Sequence, residues 1–272
     1  MIITRLRGGL GNQLFQYAAG LNLSLHYGVQ LRIDVAYYKK QKVDMLELIQ
    51  DVAVAGDGDI EQAIGYRRDR FSLKMLIRRI MPRVAHVRAV EPGYSGDLAK
   101  LGENAYLDGY WQSYRYVEPI LERLREGIAA HRQIPIRKNA ICVHIRRGDY
   151  MSPKLRIQYG CLSVEYFSRL VRQVRAEHPG CRVILFTNAG PESEFDEIGE
   201  HERVRGGSVV EDFLQMMSCS VHIISNSTFS WWAAALATAD AVYAPQPLAR
   251  SLALCTRDLM PPEWRLQAAN YE

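Results

Sequence analysis

The sequence lacks long hydrophobic runs, which limits where the protein can act. None of the 272 residues falls in a stretch approaching the roughly 18 consecutive apolar residues of a membrane-spanning helix. Met1 is followed by a short apolar stretch and glycines, not by a basic leader with a long apolar region. These absences predict a cytoplasmic protein.

Cysteine is scarce and irregularly placed. The chain has 5 cysteines, widely spaced and never in a CxxC pair: Cys142, Cys161, Cys181, Cys219 and Cys255. An odd number without paired spacing favours a reducing compartment and argues against a zinc site. We therefore predict neither a disulfide framework nor a bound metal.

A strong excess of charge is also missing. The 34 basic and 30 acidic residues give a net charge of +4, which suits a small anionic ligand better than a nucleic acid. With 48% hydrophobic and 24% charged residues the chain has an ordinary globular composition. A prior of roughly 150 residues per domain predicts two domains, and the polar, proline-containing stretch near residue 135 places them at 1–135 and 136–272.

The second half alternates apolar strands with helices, the pattern of a parallel sheet with crossover helices. Its predicted strands cover 141–145, 182–187, 221–225 and 241–244. Helices are predicted for 164–178, capped by Ser163, and for 212–218 and 231–236. The first half opens in the same way, with a strand at 2–6, a glycine loop at 8–11, a helix at 12–27 and a strand at 31–34.

The glycine loop allows two interpretations. Its backbone N–H groups can approach an anion at the start of the following helix. A dinucleotide site would use Gly9, Gly11 and Asp34, but Leu14 occupies the third glycine position, and no GK[ST] follows for a Walker A loop. The dinucleotide interpretation is the weaker one.

Two adjacent arginines follow the strand at 141–145. If Arg146 and Arg147 continue the extended chain, they point to opposite faces, so one can hold an anion while the other braces the site. Guanidinium groups match a phosphate in two-point contact. Gly148 permits a sharp turn and Asp149 can fix one guanidinium. The alternative is a solvated basic turn.

A second strand end carries hydroxyl groups. Residues 225–232 read Ser-Asn-Ser-Thr-Phe-Ser-Trp-Trp between a predicted strand and a predicted helix. Their hydroxyls and N–H groups can hold a phosphate, helped by the helix dipole. Ordinary Ser/Thr capping with the tryptophans in the core explains them equally well.

Three further stretches are ambiguous. Asp57-Gly58-Asp59 is better explained as a turn than as a metal-binding acid pair. Residues 67–88 combine basic and apolar side chains and predict a basic amphipathic helix up to Pro82, either a solvated face or a contact with an anionic membrane. Residues 106–112 form an aromatic strand and turn with acid and amide groups, suited to sugar hydroxyls or to core packing.

Taken together, the motifs resemble those of the α-1,2-fucosyltransferases. The resemblance rests on residues 8–13, 144–150, 211–219 and 225–232, which span most of the chain in the family's order. It implies a GT-B-like α/β fold of two facing Rossmann-like domains with parallel sheets. It further implies an N-terminal acceptor-side domain, a C-terminal domain binding GDP-fucose, and no cofactor or divalent metal. Residues 233–235 are all alanine where many relatives carry an aromatic residue.

The resemblance also assigns residues. Arg146 and Arg147 would engage the diphosphate, and Asn12 and Gln13 would face the reacting centre from the N-terminal half. Apart from the resemblance, Asp149 is a further catalytic candidate close in sequence, although bracing one arginine is its favoured role, and Glu165 is a remote candidate for a general base. The donor-binding set would be Gly11, Gln13, His144, Asp212, Ser227, Thr228, Phe229 and Ser230, with His144 and Asp212 beside the guanine and ribose.

The expected reaction is an inverting transfer of fucose from GDP-β-L-fucose to a hydroxyl, expected to belong to galactose, of an oligosaccharide or lipid-linked glycan. The alternatives are a different GDP-sugar, a non-catalytic guanine-nucleotide or glycan-binding module, and a nucleic-acid binder acting through residues 67–88, which the charge balance disfavours. Peripheral contact with the inner membrane face is expected only if residues 67–88 contact lipid.

Overall fold

The computed structural model describes residues 1–39, 41–64, 96–132, 134, 136–205, 207–251 and 258–272, and the backbone of 85–89. These residues divide into two compact units. The first runs from Met1 to Arg123 and includes Asp258 and Leu259, and the second contains the remaining described residues from Leu124 onwards. The division after Arg123 precedes the predicted boundary at residue 135.

The first unit contains a four-stranded parallel sheet. Its strands are β1 (Ile2–Arg5), β2 (Leu31–Asp34), β3 (Ala85–Ala89) and β4 (Ala105–Gly109), in the order β2-β1-β4-β3. Neighbouring residues of β1 contribute to different core clusters, because Ile2 packs with Leu23 and Leu107 while Ile3 packs with Ile60. Both faces of this sheet are therefore covered, as expected for parallel strands.

The second unit contains a six-stranded parallel sheet. Its strands are β5 (Arg137–Ile145), β6 (Arg182–Thr187), β7 (Glu202–Arg203), β8 (Cys219–Ile223), β9 (Ala241–Gln246) and β10 (Arg265–Ala268), in the order β10-β9-β8-β5-β6-β7. From β5 the chain builds β6 and β7 on one side and then β8 to β10 on the other. The strand order therefore reverses between β5 and β8, where open α/β sheets bind ligands.

The helices alternate with these strands. The α-helices are α1 (Leu10–Tyr27), α2 (Met45–Leu48), α3 (Asp57–Ile64), α4 (Tyr114–Val117), α5 (Leu121–His131), α6 (Pro153–Gln158), α7 (Val164–Glu177), α8 (Val209–Met217) and α9 (Thr228–Leu236). Short 3₁₀ helices cover Ala36–Tyr38, Leu98–Leu101, Glu118–Ile120, Gly148–Met151 and Glu192–Ile198. No helix among the described residues is long and apolar enough to cross a membrane.

Most predicted elements are confirmed, including the cap of α7, where Ser163 Oγ accepts a hydrogen bond of 3.2 Å from Tyr166 N. The turn predicted at Asp57–Asp59 is wrong, because these residues begin α3. Asp59 accepts hydrogen bonds from Gly56 N, at 2.9 Å, and from Arg32. The predicted basic helix, which ends at Pro82, lies outside the described residues, and residues 85–88 of the basic stretch belong to β3.

Candidate active site

Three neighbouring strands of the second sheet end at one edge and bring polar side chains together. His144, in β5, pairs through Nδ1 with Ser225 Oγ at 2.8 Å, just beyond β8. Arg147 N donates a hydrogen bond of 2.8 Å to Asn188 Oδ1, just beyond β6. The prediction that the arginine and hydroxyl strand ends belong to one sheet is confirmed.

Arg147 is enclosed within the second unit. Its side chain is 2% exposed. Its guanidinium donates to Glu194 Oε1 at 2.6 Å, to Cys161 Sγ and Leu162 O at 2.7 Å each, and to Glu272 Oε1 at 3.2 Å. Four of its five N–H groups are thus used internally. The expectation that Arg147 engages the diphosphate is corrected accordingly, since its guanidinium braces the strand end.

Arg146 has the opposite surroundings. Its side chain is 28% exposed and donates a hydrogen bond of 2.7 Å to Asp149 Oδ1. Its guanidinium carbon also lies 5.3 Å from the ring centroid of Tyr150, which stacks on Tyr159. The predicted arrangement of one outward and one bracing arginine, with Asp149 fixing one of them, is confirmed. Arg146 is the arginine placed to meet an anion.

The turn after the arginines depends on glycine. Gly148 has a φ of 55°, and a Cβ atom there would lie 2.4 Å from Asn188 Nδ2. Any other residue would combine a left-handed backbone with a steric clash. Asn188 therefore accepts a hydrogen bond from the backbone N–H of Arg147 and fills the space beside Gly148.

Helix α9 begins at the hydroxyl strand end. Ser227 Oγ caps it by accepting from Phe229 N at 3.3 Å, and Ser230 is fully buried, contacting Ser227 O at 3.1 Å and Ser225 Oγ at 3.3 Å. The expectation that Ser230 reaches a phosphate is corrected, because its hydroxyl belongs to this internal network. Thr228 and Phe229 are partly exposed at the helix start.

The other end of α9 is stabilised by an arginine. Arg125, in α5, donates hydrogen bonds of 3.1 Å from Nε to Leu236 O and 3.0 Å from NH2 to Ala235 O. A cation at a helix C-terminus satisfies the last carbonyls and complements the dipole. The helix that starts at the candidate site is therefore fixed at both ends.

His144 is buried and electrically neutral. Burial, and then the positive charge of Arg146, lower the pKa of His144 to about 3. Its ring tilts against Phe229 with centroids 5.7 Å apart. A neutral imidazole can accept or donate a hydrogen bond without adding charge.

Asp212 lies in the first turn of α8. Burial, and then the charge of Glu211, raise the pKa of Asp212. Its Oδ1 atom is buried without a hydrogen-bond partner among the described residues, and a Cβ on Gly207 would lie 2.4 Å from it. A buried acceptor of this kind is expected to have a partner, so Asp212 remains a candidate ligand contact.

In the first unit, Gln13 holds the glycine loop. Its Nε2 donates to Gly8 O at 3.0 Å and its Oε1 accepts from Met45 N at 2.9 Å. The hydroxyl of Tyr38 also donates to Gly8 O, at 2.6 Å. Gln13 is 1% exposed, so its assignment as a donor contact is corrected to a supporting role. Gly11 is likewise buried, inside α1.

Asn12 and Gln112 join the starts of two segments in the first unit, since Gln112 Nε2 donates to Asn12 Oδ1 at 2.8 Å. Asp34 is fully buried and accepts from Tyr106 and from Ala36 N at 2.9 Å. The dinucleotide interpretation of Asp34 is therefore wrong. Glu165, which lies on α7 and is the remote candidate for a general base, accepts a hydrogen bond of 3.2 Å from Asn270 Nδ2.

Sequence reasoning missed most partners of the arginine turn. Asn188, Glu194, Cys161 and Glu272 lie between 14 and 125 residues from Arg147, and no spacing pattern connects them. The structural role of Asn226 was also missed. Its Nδ2 donates hydrogen bonds to Tyr159 O at 3.0 Å and to Gly160 O at 3.1 Å. Among the described residues no group of three His, Cys, Asp or Glu could hold a metal ion.

The chain is similar in sequence to known glycosyltransferases. The chain is 25% identical to an alpha-1,2-colitosyltransferase of Escherichia coli over 97% of this chain and 98% of that protein. It is 24% identical to the O-antigen biosynthesis glycosyltransferase WbnK of Escherichia coli, over 86% and 89%. Neither relative reaches the identity at which substrate could be carried over directly.

Two solved structures are similar to this chain, and the first of them, with a TM-score of 0.50, supports the fold. E. coli heptosyltransferase WaaC with ADP matches with a TM-score of 0.50 and 14% identity, over 99% of this chain and 91% of that one. The fucosyltransferase NodZ from Bradyrhizobium matches with a TM-score of 0.46 and 16% identity, over 87% and 93%. The predicted GT-B-like α/β class with parallel sheets is confirmed. The model of the family described as Glycosyl transferase family 11 matches residues 89–266, so the chain belongs to glycosyl transferase family 11.

Proposed function

We propose that this glycosyltransferase moves fucose from GDP-β-L-fucose to a galactose hydroxyl of a glycan with inversion at C1, forming an α-1,2 linkage without a divalent metal. The observation that carries the proposal is Arg146, an exposed guanidinium at the point where the order of the second sheet reverses. The family, and the alpha-1,2 specificity named for one relative, support it.

The reaction requires charge neutralisation on the donor. The acceptor oxygen forms a bond to C1 of fucose and releases its proton to water or to the departing GDP, while the bond from C1 to the phosphate oxygen breaks and GDP leaves with additional negative charge. Arg146 is suited to take up that charge, because Asp149 and Tyr150 fix its guanidinium before the donor binds. Removing one such preorganised hydrogen-bond donor raises the activation free energy by about 3–4 kcal/mol.

The remaining donor contacts follow from the neighbouring strand ends. The start of α9, at Thr228 and Phe229, offers a helix N-terminus to the phosphates. Asp212 offers a buried carboxylate oxygen to the N–H groups of a guanine edge. His144, neutral and hydrogen-bonded to Ser225, lies on the same side of the sheet.

One experiment tests the proposal. The purified protein is incubated with GDP-fucose or GDP-colitose and a panel of galactose-terminated acceptors, with and without EDTA, and the product linkage is identified by NMR. We expect an α-1,2-fucoside at equal rates in both conditions. Preference for GDP-colitose would favour a second candidate function, the transfer of colitose, which the alpha-1,2-colitosyltransferase relative suggests. Loss of activity in EDTA would refute metal independence.

A further inference from the structure

The first unit has its own polar cluster at a reversal of strand order. The chain runs from β1 to β2 on one side and later to β4 on the other, so the order reverses between β1 and β4. At the carboxyl ends of these two strands lie Arg5, Arg7 and Asp108. This is the position at which open parallel sheets bind ligands. The donor contacts proposed above use none of the three.

Asp108 is buried but fully compensated. It is 6% exposed, and its carboxylate lies 3.3 Å from Arg5 NH1 and 3.2 Å from Arg7 NH2. A buried carboxylate is tolerated only when it is paired in this way. Each arginine is about one-quarter exposed, so the cluster has access to solvent while its geometry is fixed from beneath.

The loop that follows β4 is strained. Trp111 has a φ of 54°, which is unusual for a bulky residue, and its side chain is fully buried against Tyr116. Such a conformation is energetically unfavourable for a residue other than glycine and is often found at functional sites. Its neighbours on both sides, Tyr110 and Gln112, are partly exposed.

Those two neighbours contact residues that follow β1. The guanidinium carbon of Arg7 lies 4.9 Å from the Tyr110 ring centroid, and Gln112 Nε2 donates to Asn12 Oδ1 at 2.8 Å. The strained loop thus places the Tyr110 ring against Arg7 and the Gln112 amide against Asn12, in the first turn of α1. Both side chains contact the segment that follows β1.

We infer that Arg7, Tyr110 and Gln112 form the subsite for the acceptor sugar, with Asp108 fixing Arg7 from beneath, and that they bind a pyranose ring. The guanidinium donates to its hydroxyl groups and the amide donates and accepts, while the aromatic ring covers an apolar C–H face. This inference rests on the proposed function, because it names where the acceptor of that reaction binds.

The test separates acceptor from donor. In Gln112→Ala we expect the KM for a galactose-terminated acceptor to rise about tenfold, while the KM for GDP-fucose and its acceptor-free hydrolysis change less than about twofold. Tyr110→Ala is expected to give the same pattern, and Tyr110→Phe, which keeps the ring, a smaller rise. Gln30→Ala, an exposed glutamine of the same unit, is the matched control and should change neither KM.

A second measurement keeps the two proposals separate. Binding of methyl β-galactoside without donor is followed by ligand-observed NMR in the wild type and in Gln112→Ala, with circular dichroism as the check of folding. Loss of the signal in the variant supports the subsite even if the wild type does not use GDP-fucose. An unchanged acceptor KM in both Gln112→Ala and Tyr110→Ala, or a rise confined to the donor KM, would overturn the inference.

Discussion

Arg147 and Glu194 are joined by a hydrogen bond of 2.6 Å from Nε to Oε1, and this contact separates the roles of two adjacent arginines. Arg147 is enclosed, with a second carboxylate from Glu272. Arg146 is exposed at the strand end, held by Asp149. One guanidinium therefore fixes the turn, while the other is accessible to solvent.

The first prediction distinguishes the two arginines. Arg146→Ala should lower turnover about 100-fold to 1000-fold, because it removes the guanidinium that neutralises the leaving phosphate. It should change the free energy of unfolding by less than about 1 kcal/mol, since its ion pair with Asp149 is exposed. Arg147→Ala should lower the free energy of unfolding by about 3–5 kcal/mol. Urea denaturation and initial rates measure both, and a fully stable Arg147→Ala would contradict the bracing role.

The second prediction concerns Glu194. Glu194→Gln removes the charge that compensates a buried guanidinium, and we expect it to lower the free energy of unfolding by about 1–3 kcal/mol and to reduce kcat. Glu192→Gln is the matched control, because Glu192 lies on the same 3₁₀ helix and pairs with Arg203 and Arg205 instead. Equal effects of the two substitutions would show that the contact with Arg147 is not special.

The third prediction concerns the glycine turn. Gly148→Ala should lower the thermal midpoint and the turnover, because φ is 55° and the new Cβ would lie 2.4 Å from Asn188 Nδ2. The backbone strain alone costs about 1–3 kcal/mol. Because Asn188→Ala itself removes the hydrogen bond to Arg147 N, Gly148→Ala is compared in both backgrounds, and it should cost less stability in Asn188→Ala, where the clash is absent, than in the wild type. An equal loss in both backgrounds would mean that backbone strain dominates.

The fourth prediction follows from two buried histidines. Burial lowers the pKa of His144 to about 3 and that of His222 to about 4, whereas both titrate near 6.5 when unfolded. The unfolded chain therefore binds more protons between these values. Their contribution to stability is complete above pH 6.5 and is lost as the pH falls towards 3, at about 1.4 kcal/mol per pH unit for each histidine.

His222→Gln isolates one of these protons. The free energy of unfolding, measured in urea between pH 7.5 and 5, should fall less steeply with decreasing pH in His222→Gln than in the wild type. The carboxylates titrate in both proteins and cancel in the difference. An identical pH slope would show that the native state does not lower the pKa of His222.

The regular elements could be predicted because their signals are local. The apolar runs of β5 and β6 and the Ser163 cap of α7 are each written in a few consecutive residues. The outward and bracing arginines followed from the alternation of side chains along a strand. Three residues were enough to suggest a turn at Asp57, but the hydrogen bond from Gly56 to Asp59 and the contact with Arg32 favour a helix there.

The partners of the site could not be predicted, because they come from distant segments. The order of six strands decides which loops meet β5, and only that order brings Asn188 and Glu194 to Arg147. The same limit applies to Gln13 and Ser230, which looked like ligand contacts from their motifs. Their surroundings use their polar atoms internally.

The contact between Arg147 and Glu272 spans 125 residues of sequence. During synthesis the ribosome must therefore deliver the strands from β6 to β10 before the second carboxylate reaches the arginine. Until then the nascent second unit carries an incompletely neutralised interior charge. The second unit is expected to acquire its final stability only once Glu272 has been synthesised, after its sheet is already complete.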